Sequence, residues 1–260
     1  MNNIALDLGI IKIHWYSLTM LTAMVVGGIL FINECKKKSI NKEIIENMLF
    51  YTIIFGILGA RIYYVIFNLS YYLSNPIEII EIWNGGLAIH GGLIGGVLTI
   101  LYHCKKHNIS FLSILDNASF PVIISQAIGR WGNFFNQEAH GPVTTFATLK
   151  SLYIPDFIIK GMKIGGLYYH PTFYYEFIWN ILGFIVLITI NKYKKNLKKG
   201  TLTGIYLMWY SSARFFIESL RTDSLMLFNL KIAQIVSIIL FLIGIYLVFI
   251  RKDKKQTKEE

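Results

Sequence analysis

Three groups of residues in this chain have the types and spacing to do chemistry. The richest is Gly129-Arg130-Trp131-Gly132-Asn133-Phe134-Phe135-Asn136-Gln137-Glu138-Ala139-His140-Gly141. One arginine, two asparagines, a glutamine and a glutamate fall within thirteen residues. An arginine fork can grip two oxygens of a phosphate at once, so Arg130 is a candidate phosphate ligand. The second group is Gly85-Gly86-Leu87-Ala88-Ile89-His90-Gly91-Gly92-Leu93-Ile94-Gly95-Gly96. Its glycines serve close helix packing as readily as ligand approach. His90 is a candidate proton acceptor near neutral pH, and a hydrogen-bonded packing histidine is the alternative. The third group is Tyr210, Arg214 and Glu218, four apart and therefore on one helix face. Gln126, Arg130 and Asn133 share a face by the same rule. A purely structural ion pair is the alternative for Arg214 and Glu218, and structural pairing or interfacial anchoring for Arg61.

The elements that must carry these groups are membrane helices. The chain has 260 residues, 54% of them hydrophobic and 15% charged, where a soluble domain carries roughly 25% charged residues. Mean hydropathy is +0.51. A bilayer core needs roughly 20 helical residues per crossing. Runs near 16–33, 45–67, 86–104, 112–134, 171–191, 201–220 and 231–250 meet that need, and predict about seven transmembrane helices in a single all-α polytopic domain, 1–260. The first run lacks a basic start and a small-residue cleavage site, so it is expected to be a span and not a cleaved signal.

Lysine and arginine set the expected orientation. Lys36, Lys37, Lys38 and Lys42 follow the first run, and Lys105 and Lys106 the third. Lys192, Lys194, Lys195, Lys198 and Lys199 follow the fifth, and 251–260 is a basic tail with Arg251, Lys252, Lys254, Lys255 and Lys258. Basic loops stay in the cytoplasm, which puts the N-terminus outside and the C-terminus inside. The formal charge of +10 is thereby assigned to topology and anionic headgroups, with no nucleic-acid partner. Stretch 142–169 becomes a small extracytoplasmic cap between the fourth and fifth spans.

That orientation brings the intramembrane polar residues to one depth. Tyr16, Arg61, His90, Arg130, Asn133, His170, Glu176, Tyr210, Arg214 and Glu218 all fall in the outer halves of their spans. Asp116 is the exception, near an inner end. A charge inside a bilayer costs at least ~2.5–3.5 kcal/mol on the insertion scale, so each marks a candidate site. The convergence predicts one polar cavity open to the outer leaflet. A transporter would spread such residues through the full depth and repeat its halves, and neither pattern is visible. An intramembrane serine protease would pair a serine with His90, and a metal-dependent phosphatidyltransferase would cluster aspartates; neither motif is present.

On these residues the chain resembles the bacterial prolipoprotein diacylglyceryl transferase family. Gly129 to Gly141 looks like the family signature G-R-x-G-N-F-x-N-x-E-x-x-G at every fixed position. His90 to Gly95 matches its H-G-G-L-I-G, and His170 to Glu176 its H-P-T-x-x-Y-E. Trp15-Tyr16 matches the early tyrosine, and the Tyr210, Arg214 and Glu218 face matches too, followed by Arg221 and Asp223. The resemblance covers essentially the whole chain. It implies transfer of the diacylglyceryl group of phosphatidylglycerol to the thiol of a lipobox cysteine, just after the signal peptide of a prolipoprotein. A thioether forms and glycerol phosphate leaves, as the first step of lipoprotein maturation at the bacterial cytoplasmic membrane. Arg130 and Arg214 are the expected phosphate clamp and His90 the expected base. Asn133, Glu138, Gly141, Tyr16 and Tyr210 are expected to bind substrate, with Arg61, His170, Glu176 and Glu218 in support. No metal or cofactor is expected. Cys35 and Cys104 fall near the cytoplasmic side, which makes direct transfer simpler than a covalent enzyme intermediate.

Overall fold

Hydrocarbon offers backbone amides no water, so a long apolar run closes its hydrogen bonds within itself as a helix. A computed structural model of the chain describes residues 3–9, 12–194, 196–221, 226–227 and 230–252. Strands β1 (Ile4–Asp7) and β2 (Lys12–His14) pair antiparallel and lead into helix α1 (Trp15–Lys37). Helices α2 (Lys42–Phe67) and α3 (Leu69–Ser74) follow, then two 3-10 turns, Pro76–Ile80 and Ile82–Asn84. After α4 (Ile89–Lys106), helix α5 (Phe111–Asn136) carries the motif-rich run at its C-terminal end. Strand β3 (Val143–Thr144), helices α6 (Phe146–Ser151) and α7 (Asp156–Gly161), and strands β4 (Lys163–Ile164) and β5 (Leu167–Tyr169) come next. Helices α8 (Thr172–Tyr193) and α9 (Thr201–Leu220) follow. Strands β6 (Met226–Leu227) and β7 (Leu230–Lys231) form a ribbon before α10 (Ile232–Ile245), which continues as a π-helical turn, Tyr246–Ile250.

The chain is thus mostly helical, as expected of an α-helical membrane protein. Among the described residues, five helices are long and apolar enough to cross a bilayer: α1, α2, α5, α8, and α10 with its π-helical turn. Their large apolar side chains stand exposed, among them Leu21, Ile62, Leu182 and Leu242. Helices α4 and α9 are not among the five. Their sequences explain it: α4 mixes glycines, histidines and lysines into 18 residues, and α9 carries tyrosines, serines, Arg214 and Glu218. Asp223, Lys195, Lys254, Lys255 and Lys258 lie outside the described residues.

The chain gathers into two compact units, Ile32–Ile114 and Met1–Phe31 with Leu115–Glu260. In the first, α2 and α4 touch backbone to backbone. A methyl group on Gly59 would sit 2.5 Å from the Gly91 carbonyl oxygen, and one on Gly95 2.2 Å from that of Phe55. Glycine is required there because only it permits so close an approach. Arg61, buried on α2, gathers the loop between α3 and α4. Its Nε donates to the Ile79 carbonyl at 2.9 Å and its Nη1 to Gly85 and Gly86 at 2.8 and 3.0 Å. Its Nη2 donates to Glu78, and the guanidinium lies over the Tyr72 ring at 5.2 Å.

In the second unit, α9 is held at both ends by other segments. Asp116 of α5 accepts from the Gly200 amide (2.6 Å), the Thr203 amide (2.9 Å) and the Thr203 hydroxyl (2.8 Å). This explains the one intramembrane acid that stood apart: it caps a helix start, where a negative charge suits the dipole. At the other end Lys231 donates to the carbonyls of Glu218 (2.6 Å) and Arg221 (3.0 Å). Helices α5, α8 and α9 enclose a core of Phe120, Ile123, Leu187 and Leu202. The 142–169 stretch has its own core. Leu149, Ile154, Ile158, Ile159 and Met162 pack with Phe134 and Phe173 beside the antiparallel sheet β3-β5-β4.

Candidate active site

The site in the second unit is built on three helices. Tryptophans fix α8 against α9: Trp179 donates its indole N–H to the Trp209 carbonyl at 3.0 Å, and Trp209 returns the bond to Trp179 at 2.9 Å. The two rings stack at 4.7 Å. Gln126 of α5 donates to the Tyr206 hydroxyl at 2.9 Å, and Tyr206 stacks on Tyr210 at 6.1 Å. These contacts set the register of the charged residues one or two turns along each helix.

Four charges of alternating sign then form a chain. Arg130 Nε meets Glu176 Oε2, Glu176 Oε1 lies 3.5 Å from Arg214 Nη1, and Arg214 Nη2 lies 2.7 Å from Glu218 Oε2. The two glutamates are buried, while the arginine side chains keep 21% and 18% of their surface. The net charge is zero, which offsets much of the cost of taking four ions out of water. The bonding is less complete than the charge balance. Arg130 Nε, Arg214 Nη1 and Glu218 Oε2 are buried, and none has an aligned hydrogen bond among the described residues. Buried donors in that state gain from an oxygen-rich ligand.

The segment after α5 is folded back and clamped. Gln137 and Ala139 both take left-handed backbone angles, φ 53°. Gln137 donates to the Gly161 carbonyl at 2.8 Å, and the Thr172 hydroxyl donates to Ala139. The Gly141 amide donates to His170 O at 2.9 Å, and the His170 amide to Pro142 O at 3.1 Å. A side chain at Gly141 would start 2.8 Å from His170 Cβ, so the structure gives this glycine a packing reason. His170 Nδ1 lies 2.9 Å from the Tyr175 hydroxyl. Tyr16 packs its ring on α5, since a methyl group at Gly132 would sit 2.8 Å from it. Tyr16 and Glu138 line an open cleft of about 460 Å³ with Asn3, His14, Ser17 and Asn136.

Arg130, Glu176, Arg214 and Glu218 are therefore brought together, Tyr210 stands on the same α9 face, and Tyr16 and Glu138 share a neighbouring cleft. Asn133 lies on the Arg130 face of α5 and is half-buried. In the other unit, His90 is exposed in the first turn of α4, its ring 6.0 Å from that of Tyr63. It makes no hydrogen bond among the described residues. Arg61 spends its donors on backbone carbonyls within its own unit. Sequence reasoning passed over the Trp179–Trp209 pair, Tyr206 and His14. His14 had a signal, standing directly before Trp15-Tyr16; the tryptophans had none, since two apolar aromatics in separate spans read as core.

A family model described as prolipoprotein diacylglyceryl transferase matches residues 3–250. The chain belongs to the prolipoprotein diacylglyceryl transferase family. It is similar to a phosphatidylglycerol–prolipoprotein diacylglyceryl transferase of Staphylococcus haemolyticus (strain JCSC1435), 47% identical over 253 residues, covering 97% of this chain and 89% of that protein. It is similar to one from Ligilactobacillus salivarius (strain UCC118), 47% identical over 251 residues, covering 96% of this chain and 93% of that protein. In this member of the diacylglyceryl transferase family, the buried four-charge chain is the feature best suited to an anionic headgroup.

Proposed function

We propose that this protein transfers the diacylglyceryl group of phosphatidylglycerol to the cysteine thiol of a prolipoprotein. The thiolate sulfur attacks the glyceryl carbon that bears the phosphate ester. A C–S bond forms, the C–O bond breaks, and glycerol phosphate leaves with the bonding electrons. A thiol is only a few per cent ionised at neutral pH, so its proton must be taken or its acidity raised. His90 is the proposed acceptor on chemical grounds, being exposed and without a hydrogen-bond partner among the described residues. Arg130 and Arg214 hold the phosphate as negative charge grows on the leaving oxygen, which is the role preorganised cations fill best. Tyr16, Asn133, Glu138 and Tyr210 orient the headgroup. The single observation that carries the reading is the pair of arginines with buried donors lacking aligned acceptors.

The wider arrangement is part of the proposal. Helices α4 and α9 complete seven crossings in one membrane domain of the bacterial cytoplasmic membrane. The N-terminus lies outside, the 142–169 stretch caps the site on that side, and the tail is cytoplasmic. The thiol belongs to a lipobox cysteine beside a signal peptide still in the membrane. The test uses phosphatidylglycerol labelled in its acyl chains and lipobox peptides carrying cysteine or serine. Label is expected on the cysteine peptide alone. Failure of folded protein to label either peptide overturns the transferase reading. Loss of transfer in His90→Gln would confirm the base, and its survival would assign thiol activation to the arginines.

A further inference from the structure

The four-charge chain holds an oddity. Glu176 sits between Arg130 and Arg214 and offers one negative charge on two oxygens. A phosphodiester offers the same charge on two free oxygens. Across the four residues the charges balance, yet Arg130 Nε and Arg214 Nη1 have no aligned hydrogen bond among the described residues. Arg130 meets Glu176 through Nε, and its side chain keeps 21% of its surface. Arg214 has a second carboxylate beside it, Glu218, whose Oε2 lies 2.7 Å from its Nη2. The arrangement is a pair of guanidinium groups held by a carboxylate that does not saturate them.

We propose that Glu176 is a displaceable counter-ion that competes with the lipid phosphate for Arg130 and Arg214. It holds both arginines before lipid binds and yields them to the phosphodiester. It takes them back as glycerol phosphate leaves. This rests on the phosphate-clamp reading above and extends it to product release. Two anions on one pair of arginines repel, so occupancy by Glu176 and by phosphate is exclusive. The need for a competitor follows from charge. The diester carries one negative charge, whereas a phosphate monoester carries about 1.5 to 2 near neutral pH. Two arginines without a resident acid would hold product more tightly than substrate. Glu218 keeps Arg214 in place in either state, so only the Glu176 side of the chain must open.

The test measures inhibition of transfer by added glycerol phosphate, with kcat and KM for phosphatidylglycerol. In Glu176→Gln the inhibition constant is expected to fall by about tenfold or more, with KM lowered and kcat reduced by slow release. Glu176→Asp keeps the charge on a shorter stem, and its inhibition constant is expected between those of Gln and wild type. It also serves if the Gln variant does not fold. Thermal shift of the detergent-purified variants by glycerol phosphate gives a second readout without turnover. Unchanged or weaker glycerol phosphate binding in both variants overturns the competitor and leaves Glu176 as a simple support. If Arg130→Ala and Arg214→Ala bind glycerol phosphate as wild type does, the clamp itself falls, which is a different failure.

Discussion

Arg130 and Arg61 are both arginines inside apolar helices, and their partners separate their work. Arg130 meets the Glu176 carboxylate through Nε, and its side chain stays partly exposed. A lysine there keeps the charge and loses the planar fork. Arg130→Lys is expected to lose transfer by about 10²-fold or more in kcat/KM with labelled phosphatidylglycerol, as expected for removal of a preorganised transition-state donor. Near wild-type activity would mean that point charge alone suffices. Arg61 instead donates to the carbonyls of Glu78, Ile79, Gly85 and Gly86. Arg61→Ala is expected to cost roughly 3 kcal/mol or more of stability by leaving buried carbonyls without donors. Denaturant unfolding in micelles, and proteolysis within 69–88, would report it. The sequence marked both arginines through the cost of burying charge. The motif after Arg130 ranked it above Arg61, but the partners of either could not be named, because partners on other helices or up to 25 residues away leave no local pattern.

At the scale of elements, what was legible was what hydropathy controls. Each expected apolar run is helical, and the bounds shift by a few residues where polar ends such as Lys36, Lys37 and Lys106 continue a helix. The small strands around 143–169 were not foreseen, since two- and three-residue pairings carry no period to detect. Helix contacts were half legible. The paired glycines of α4 left packing and ligand approach open, and the structure assigns Gly91 and Gly95 to packing against α2. Gly91→Ala is therefore expected to destabilise by about 1–3 kcal/mol, as overpacking does, because its methyl group would lie 2.2 Å from the Gly59 carbonyl oxygen. Gly96→Ala meets only the Thr52 methyl at 3.5 Å and is expected to be tolerated. Equal thermal midpoints in the two variants would mean that the close approach at Gly91 does not limit packing. Helix α9 makes the complementary case. Its N-terminal cap is Asp116, 84 residues away from Gly200, and its C-terminal carbonyls are taken by Lys231. Asp116→Ala is expected to cost about 1–2 kcal/mol, and because α9 carries Arg214, to lower transfer as well.

For the whole molecule, the question is which side the four-charge chain faces. Helix α5 supplies an internal ruler. Asp116 caps α9 near one end of it and Arg130 stands near the other, about 20 Å apart at the helical rise. The start of α9 follows the lysine-rich 192–199 connection directly, so Asp116 marks that side. Glu176 lies in the second turn of α8, just after the 142–169 stretch, so the charged chain belongs to the opposite side. The lysine asymmetry then gives the direction we propose. If the basic connection stays cytoplasmic, the site opens outward, toward a leaflet where a secreted precursor presents its cysteine. Single cysteines at two exposed lysines test this in a background lacking Cys35 and Cys104. Lys160→Cys is expected to react with a membrane-impermeant maleimide in intact cells, and Lys198→Cys only after permeabilisation. The reverse pattern would invert the molecule and place the arginines where no exported thiol could reach them. Labelling of both in intact cells would mean that the stretch between them does not cross, and would remove α8 as a span.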